Sequence, residues 1–192
     1  MNPKIYLIVA ADIKGGIGLG NKLAWDLPGD MKFFQKTTIH TENIQFRNMV
    51  IMGRKTWETI PEAHRPLKGR KNVVITKNKD YKVPKGVVLA HSLEEAMKST
   101  DERVADIFII GGASIYELVF KKSRIDGIYL TKVKKEFKCD RFFPKIPRAF
   151  APERLGEGED NGVRYEFFYY KKKKITRPAR STKATKRSKR RR

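Results

Sequence analysis

The segment Trp-Asp-Leu-Pro-Gly-Asp at 25–30 ends in a carboxylate that is suited to bind a cationic or hydrogen-bond-donating ligand. Pro28 favours the first turn of a helix, because its missing N–H group would have no partner there anyway. Phe33 and Phe34 continue that helix as an apolar face. We therefore expect Asp30 to point into apolar surroundings, where an unpaired carboxylate is costly. Asp30 is the leading ligand-binding candidate, and the alternative is an ordinary aspartate stabilised by the helix dipole.

Two glycine-containing junctions between a predicted strand and a predicted helix could bind phosphate. They are Ile-Ile-Gly-Gly-Ala-Ser-Ile-Tyr at 109–116 and Met-Gly-Arg-Lys-Thr at 52–56. Glycine lets the backbone approach a ligand, and N–H groups at a helix start attract anions. Open parallel sheets bind ligands at the carboxyl ends of their strands, so together the junctions suit a dinucleotide pyrophosphate. For either junction alone, a tight turn remains the alternative.

Other site types are disfavoured by the sequence. No complete Gly-x-Gly-x-x-Gly motif follows the first strand, which argues against an ordinary Rossmann dehydrogenase. The glycine-rich loop at 14–24 instead suits a mobile lid. The histidines at 40, 64 and 91 are scattered, and no cysteine or histidine pair has ligand spacing, so we expect no metal site.

Alternating strands and helices must position these candidate residues. Six short apolar runs are typical of buried strands and cover 6–11, 49–52, 72–76, 87–90, 107–110 and 128–131. Helices are predicted over 28–37, 54–60, 92–99 and 113–122. This alternation predicts a three-layer α/β domain with a mostly parallel central sheet. A last run at 164–170 follows the turn-rich stretch 156–162 and predicts an antiparallel edge strand, since no crossover helix precedes it.

The charge of the chain is concentrated at its C-terminus. Of 192 residues carrying a net charge of +22, the last 22 hold 13 lysines and arginines and no acid, which leaves +9 on the rest. We predict one folded domain over 1–170 and a disordered basic tail over 171–192. The tail would bind polyanions by counterion release, with nucleic acid or the ribosome surface as the first candidates. Anionic lipid, a nuclear-import signal and a solvated tail without a partner are the alternatives.

The cellular compartment is predicted from cysteine use and hydropathy. The single cysteine, Cys139, excludes an intramolecular disulfide and fits a reducing compartment. The N-terminus lacks the pattern of a signal peptide, and no apolar run is long enough to span a membrane. We therefore expect a cytoplasmic protein.

Five separated segments, in order, resemble the dihydrofolate reductase family. They lie at 16–30, 50–58, 65–72, 109–116 and 129–131. The resemblance covers roughly residues 4–170 and implies the α/β/α fold of that family. It also implies reduction of 7,8-dihydrofolate to tetrahydrofolate by hydride transfer from NADPH, in support of one-carbon metabolism and thymidylate biosynthesis. We expect a monomer.

The resemblance assigns the catalytic groups. Asp30 would bind the 2-amino group and N3 of the pterin and promote protonation at N5, and a carboxylate suits two adjacent N–H donors. Thr131 would hydrogen-bond Asp30, and Trp25 would hold a water molecule near it. Tyr116 would lie beside the nicotinamide, although its helical spacing also fits an ordinary core tyrosine.

The same resemblance implies the rest of the folate site. Arg70 would bind the terminal carboxylate of folate bidentately. The backbone carbonyls of Ile8 and Ile110 would accept from the pterin amino group. The other expected contacts are Val9 and Ala10 at the pocket floor, Met31, and Phe34, Ile60 and Leu67 around the benzoyl ring. The last three would serve equally well as core residues.

The cofactor site is likewise implied by the resemblance. Arg54, Lys55 and Thr56 would hold the phosphates. Thr76, Lys77 and His91 would lie near the 2′-phosphate, which favours NADPH over NADH because no acidic ribose-binding residue occurs there. A solvated surface histidine is the alternative for His91. The remaining expected contacts are Ala10, Ile17, Gly18, Asn21, Leu23, Gly53, Gly111, Gly112, Ala113, Ser114, Ile115 and Tyr116.

The sequence departs from the family pattern in a few places. Ala24 stands where proline usually precedes the tryptophan, and Ala113 replaces a third glycine. A polar insertion at 39–48 resembles the longer members of the family. Two other functions remain open. A riboflavin-pathway reductase would not be expected to combine the 25–30 segment with Arg70, and a nucleic-acid-binding protein on an inactivated scaffold would not need an intact catalytic set.

Overall fold

The computed structural model describes residues 3–173, which form a sheet flanked by helices on both faces. The strands are β1 (Lys4–Ala11), β2 (Gly16–Gly18), β3 (Arg47–Gly53), β4 (Arg70–Ile75), β5 (Val87–Ala90), β6 (Val104–Gly111), β7 (Gly127–Val133), β8 (Arg141–Phe142), β9 (Phe150–Asp160) and β10 (Val163–Lys172). The helices are α1 (Pro28–Ile39), α2 (Arg54–Thr59), α3 (Leu93–Lys98) and α4 (Ala113–Lys122), with a 3-10 turn at Glu62–His64.

The main sheet has eight strands in the order β5-β4-β3-β6-β1-β7-β10-β9. The first six are parallel, and β10 and β9 add to β7 in antiparallel pairing. This arrangement confirms the predicted fold class. A separate two-stranded sheet pairs β2 with β8, so part of the loop predicted as a lid is a short strand.

The outer edge of the sheet differs from the prediction. The predicted antiparallel strand is β10, but β9 lies outside it and forms the edge. The stretch 156–162 was interpreted as a turn, yet only Asn161 and Gly162 form one, both with positive φ (52° and 70°). Proline, glycine and charged residues in β9 hide its strand character, because edge strands need few apolar residues.

Alternate residues of the central strands fill two apolar cores. Leu7 and Ile51 belong to the larger core, which α3 and α4 cover. Ile8 and Val50, one position away, belong to the core that Trp57 of α2 and Phe34 of α1 cover. Because successive side chains of a strand point to opposite faces, this division follows from the two-residue period.

The loop between α1 and β3 is shorter than the predicted insertion at 39–48. Helix α1 ends at Ile39 and β3 begins at Arg47, so residues 40–46 alone connect them. Asn48 of β3 is buried, and its side-chain amide donates to the carbonyl oxygens of Thr38 and His40 at 3.0 and 2.8 Å. These bonds fasten the end of α1 to the sheet.

The C-terminal strand extends beyond the predicted domain boundary at residue 170. Lys171 pairs with Gly127, and the Lys173 amide donates to the Ala149 carbonyl at 2.8 Å. Lys171 and Lys172 therefore belong to the sheet rather than to the predicted tail. The rest of that tail, 174–192, lies outside the described residues. Within 3–173, no helix is long and apolar enough to cross a membrane.

Candidate active site

A cleft of about 1800 Å³ opens at the carboxyl ends of the central parallel strands. Strand residues that line it include Ala10, Gly53, Gly111 and Thr131, each at or near the end of its strand. Sites for one small molecule usually measure about 300–1,000 Å³. The cleft is therefore large enough for two ligands side by side.

The lining of the cleft includes nearly all of the residues that the sequence singled out. Every predicted substrate and cofactor residue contributes to it except Arg54, and every predicted catalytic residue except Trp25. In the described part of the chain, no group of three or more histidine, cysteine, aspartate or glutamate side chains is placed to hold a metal ion.

Asp30 lies in the first turn of α1, at the inner end of the cleft, and is only 4% exposed. The Thr131 hydroxyl of β7 donates to its Oδ1 atom at 2.6 Å. Burial raises the pKa of Asp30 to about 6; the bond from Thr131 opposes this rise and the negative charge of Asp160 adds to it. Asp30 can therefore be ionised at neutral pH and still bind a proton in a mildly acidic range.

Trp25, five residues before Asp30, is buried but does not line the cleft. Its ring lies 5.3 Å from that of Phe137, between centroids. The indole N–H finds no acceptor among residues 3–173. The predicted contact of Trp25 with a water molecule stays a prediction.

Tyr116 lies in the first part of α4 and serves both the core and the cleft. Its hydroxyl donates to the Ile8 carbonyl oxygen at 2.7 Å, and burial holds its pKa well above the usual range. Tyr116 is therefore a neutral donor. Because a carbonyl oxygen has two lone pairs, Ile8 can accept a second hydrogen bond from a ligand.

Arg70 at the start of β4 is oriented without a carboxylate partner. Its Nη1 atom donates to the Thr38 hydroxyl at 2.7 Å and its Nε atom to the Lys68 carbonyl at 3.1 Å. Its guanidinium lies 5.7 Å from the centre of the Phe34 ring. No ion pair within 3–173 includes it, and burial lowers its pKa to about 10. It remains a cation at neutral pH and is available to an anionic ligand.

Thr38 is a hydrogen-bond partner of Arg70 that the sequence analysis missed. It is fully buried, and its hydroxyl donates to the Phe34 carbonyl one helical turn earlier, at 2.8 Å. Its spacing from Asp30 and Phe34 could have revealed it, since residues four apart share one face of a helix. A polar residue on that apolar face of the helix indicates a hydrogen-bond partner from another element, which here is Arg70.

The two glycine junctions meet at the other end of the cleft. Gly112 precedes α4 without a side-chain cap, so the first N–H groups of that helix remain available. A Cβ atom on Gly112 would lie 3.2 Å from the Thr56 hydroxyl, and Gly111 has φ of 119°, which favours glycine. Lys55 adds a cation to this lining and forms no ion pair within 3–173. These donors fit the phosphate groups of a dinucleotide.

Arg54 is the one predicted phosphate-binding residue that does not line the cleft. The prediction placed it on the cofactor phosphates, but its Nη1 atom donates to both carboxylate oxygens of Glu58 at 2.9 and 3.1 Å. The two residues are four apart on α2, the spacing that favours such a pair. The guanidinium also lies 5.8 Å from the centre of the Tyr81 ring. The guanidinium of Arg54 is therefore paired with Glu58, which itself lines the cleft, and its contact with the cofactor phosphates stays a prediction.

The three residues that were predicted to lie near a 2′-phosphate follow the ends of β4 and β5. Thr76, Lys77 and His91 all line the cleft. The Nδ1 atom of His91 lies 3.0 Å from the Thr76 carbonyl oxygen, which fixes the ring against this strand end. His91 is exposed at the rim of the cleft, and its contact with a 2′-phosphate stays a prediction.

The glycine-rich loop that was predicted to be a lid is fastened by Asp12, a buried residue that the sequence analysis missed. One oxygen of Asp12 accepts from the amides of Lys14 and Gly16 at 2.8 and 2.7 Å, and the other accepts from Phe137 at 3.0 Å. Asp12 thereby joins the loop to the segment before β8. This anchoring presents Ile17, Gly18, Asn21 and Leu23 to the cleft.

Comparison with known proteins gives a consistent set of relatives. The family model described as dihydrofolate reductase matches residues 4–172. The chain is 40% identical over 173 residues to the dihydrofolate reductase of Drosophila melanogaster, covering 85% of this chain and 95% of that protein. It is 36% identical over 183 residues to that of Aedes albopictus, covering 88% and 97%. A third relative is the bifunctional dihydrofolate reductase-thymidylate synthase of Daucus carota, which is 40% identical over 147 residues. That match covers 73% of this chain and 28% of the longer carrot protein.

Proposed function

The chain belongs to the dihydrofolate reductase family, and from this premise we propose that it reduces 7,8-dihydrofolate to tetrahydrofolate with NADPH as the hydride donor. The product would supply one-carbon metabolism and thymidylate synthesis. The observation that carries the proposal is the buried pair of Asp30 and Thr131 in a cleft whose other end holds glycine turns and cations. One end suits a pterin and the other suits phosphates.

Asp30 would bind the pterin ring in this proposal. Its two oxygens match the 2-amino group and N3, which are adjacent N–H donors, and Thr131 holds the carboxylate in place at 2.6 Å. Ile8 and Ile110 line the cleft, and their backbone carbonyls would accept from the pterin amino group. The ring would thus be oriented by groups from α1, β1, β6 and β7.

The tail of the substrate would extend from this end of the cleft to Arg70. Phe34, Ile60 and Leu67 belong to one apolar cluster and also line the cleft, so they can contact an aromatic ring. Arg70 would bind the terminal carboxylate with its remaining Nη1 and Nη2 N–H groups, because Lys68 accepts from Nε and Thr38 accepts from one N–H of Nη1. The arrangement selects a flat donor-rich ring that carries an anion at its far end.

NADPH, when bound, supplies the hydride that reduces the carbon next to N5 of the pterin. Lys55, Thr56 and the N-terminus of α4 would hold its pyrophosphate, and Thr76, Lys77 and His91 would lie at its 2′-phosphate. Asp30 would stabilise the pterin that is protonated at N5, which makes the neighbouring carbon a better hydride acceptor. In this role Asp30 binds and polarises the ring and need not donate the proton itself.

One assay tests this proposal. NADPH oxidation by the purified chain is followed with and without dihydrofolate, for wild type and for Asp30→Asn. We expect substrate-dependent oxidation by wild type and a loss in the variant that grows with pH, because solvent can protonate the substrate at low pH. Absence of substrate-dependent turnover in wild type would refute the reductase function.

The related riboflavin-pathway reaction is the nearest alternative enzyme function. Arg70 and Asp30 argue against it, since both line the cleft and a riboflavin-pathway reductase would not be expected to combine them. The expectations of a monomer and of a cytoplasmic location stay predictions.

We also propose that the basic C-terminal segment binds nucleic acid without sequence preference. Its 13 positive charges without an acid support this proposal. Strand β10 runs antiparallel to β7, so Phe167 pairs with Thr131 at the cleft while Lys171 pairs with Gly127 at the other end. The segment therefore begins at the end of β10 that is remote from the cleft.

A further inference from the structure

The turn between β9 and β10 holds the chain segment that carries Asp30. The Asn161 side chain donates to the Asp26 carbonyl at 3.0 Å. The Oδ2 atom of Asp160 accepts from the Gly29 amide and from the Tyr165 hydroxyl, both at 2.7 Å. The contacts with Asp26 and Gly29 join residues more than 130 positions apart in the sequence.

Asp160 acts as the missing cap of α1. The residue before the helix, Leu27, offers no side-chain hydrogen bond to the first turn. A helix leaves its first N–H groups without backbone partners, and a carboxylate is a favourable acceptor for them. Asp160 supplies that acceptor from another element, at the residue immediately before Asp30.

The close approach depends on Gly29 and Tyr165. A Cβ atom on Gly29 would overlap the Tyr165 hydroxyl, so any larger residue would displace the contact. Tyr165 is buried in the core cluster of Trp25 and Leu27. Its hydroxyl therefore holds Asp160 from a fixed position rather than from a mobile surface side chain.

The charge of Asp160 reaches Asp30 as well. Bonds from Tyr165 and Gly29 hold the pKa of Asp160 below its usual range, helped by the nearby charge of Lys32. Asp160 is thus ionised wherever Asp30 titrates, and its charge adds to the effect of burial in raising the pKa of Asp30. The other titratable side chains that sense Asp30 are Tyr116 and Tyr165, which stay neutral in that range.

We propose that Asp160 is a positioning residue, which fixes the first turn of α1 through Gly29 and thereby sets the orientation and the proton affinity of Asp30. Its effect on turnover rests on the proposed reductase function, whereas its effect on Asp30 does not. Asp160 itself lies on β9 and does not line the cleft.

Two substitutions separate charge from position. Asp160→Asn keeps an acceptor for Gly29 and removes the charge, whereas Asp160→Ala removes both. Glu159→Gln is the matched control, because it removes one charge at the neighbouring position, where the carboxylate pairs with Arg164 at 3.0 Å. Tyr165→Phe keeps the ring and removes the donor that holds Asp160.

The first readout is titration of the Asp30 carboxyl by carbon NMR, with the resonance assigned by its loss in Asp30→Asn. We expect the midpoint to move to lower pH in Asp160→Asn and to stay at the wild-type value in Glu159→Gln. The second readout is the pH profile of single-turnover hydride transfer, which should move in the same direction. For Asp160→Ala we expect kcat/KM to fall about tenfold, as for loss of one hydrogen bond to a charged group, and for Tyr165→Phe a smaller fall.

The outcomes distinguish three cases. If Asp160→Asn leaves both the Asp30 midpoint and the pH profile unchanged, the inference is overturned, even if the melting temperature falls. An equal movement in Glu159→Gln also overturns it, because the effect would then belong to the surface charge in general. If wild type shows no dihydrofolate-dependent turnover but the midpoint moves in Asp160→Asn alone, the reductase function fails and the positioning of Asp30 stands.

Discussion

Replacement of Thr131 by valine tests how the hydrogen bond from Thr131 and burial together set the pKa of the Asp30 carboxylate. Valine keeps the shape of the side chain and removes the hydroxyl that donates to Asp30 at 2.6 Å. That bond lowers the pKa of Asp30, while burial raises it from 3.8 to about 6. A hydrogen bond to a charged group contributes about 2 kcal/mol, which corresponds to a rise of about 1.5 pH units in the midpoint when the bond is lost.

The same substitution makes stability depend on pH in a defined direction. Because folding raises the pKa of Asp30, the protonated carboxyl favours the folded state, and this contribution is lost as the pH rises through about 6. At pH 8 the ionised carboxylate of the variant has lost its donor, so we expect the free energy of unfolding to fall by about 2 kcal/mol. At pH 5, where Asp30 is largely protonated in both proteins, the difference should be much smaller.

Urea unfolding at both pH values and carbon NMR titration of Asp30 measure these effects. Thr100→Val is a suitable control, because Thr100 is exposed after α3. Equal destabilisation by Thr131→Val at pH 5 and pH 8, or an unchanged midpoint for Asp30, would show that Thr131 contributes packing alone.

Three other predictions concern the two ends of the cleft and the tail. Arg70→Lys should raise KM for dihydrofolate by about tenfold or more, as expected for loss of a bidentate contact, with kcat little changed in steady-state assays. Lys77→Gln should raise KM for NADPH more than KM for NADH, whereas Arg54→Gln should change neither, and a reversed order would contradict the cleft lining. A chain ending at Lys173 should keep its kcat and lose salt-dependent nucleic-acid binding. In the full chain, log affinity plotted against log salt concentration should have a slope of about −5 if about six phosphates are neutralised. Equal binding by both chains would exclude the tail as the binding segment.

The sequence was sufficient to predict most of the parallel sheet and the cleft. The buried strands have continuous apolar runs, and the glycine junctions lie at their carboxyl ends, so topology alone brings these residues together. Strand β9 escaped prediction because its exposed edge position permits glycine and charge, which are also turn signals.

Side-chain partners were harder to predict than strands. Arg54 fits a phosphate motif by sequence, but its ion pair with Glu58 depends on the local helix and on the rotamers of both side chains. Asp12 and Asp160 act on backbone amides far away in the chain, and no spacing in the sequence encodes such contacts. Their roles depend on tertiary structure.

The position of β1 between β6 and β7 has a consequence for the way the cleft is assembled. Asp30 meets Thr131 across 101 positions, and Tyr116 meets Ile8 across 108. While the chain is being synthesised, the N-terminal half that carries Ile8 and Asp30 lacks Tyr116 and Thr131, which belong to the C-terminal half. Contacts between residues so far apart in the sequence form late and slowly. A ligand that requires this cleft can bind only the folded chain. At a free concentration of 100 Kd it would stabilise that chain by about 2.7 kcal/mol, so the supply of ligand would influence how much newly made protein survives.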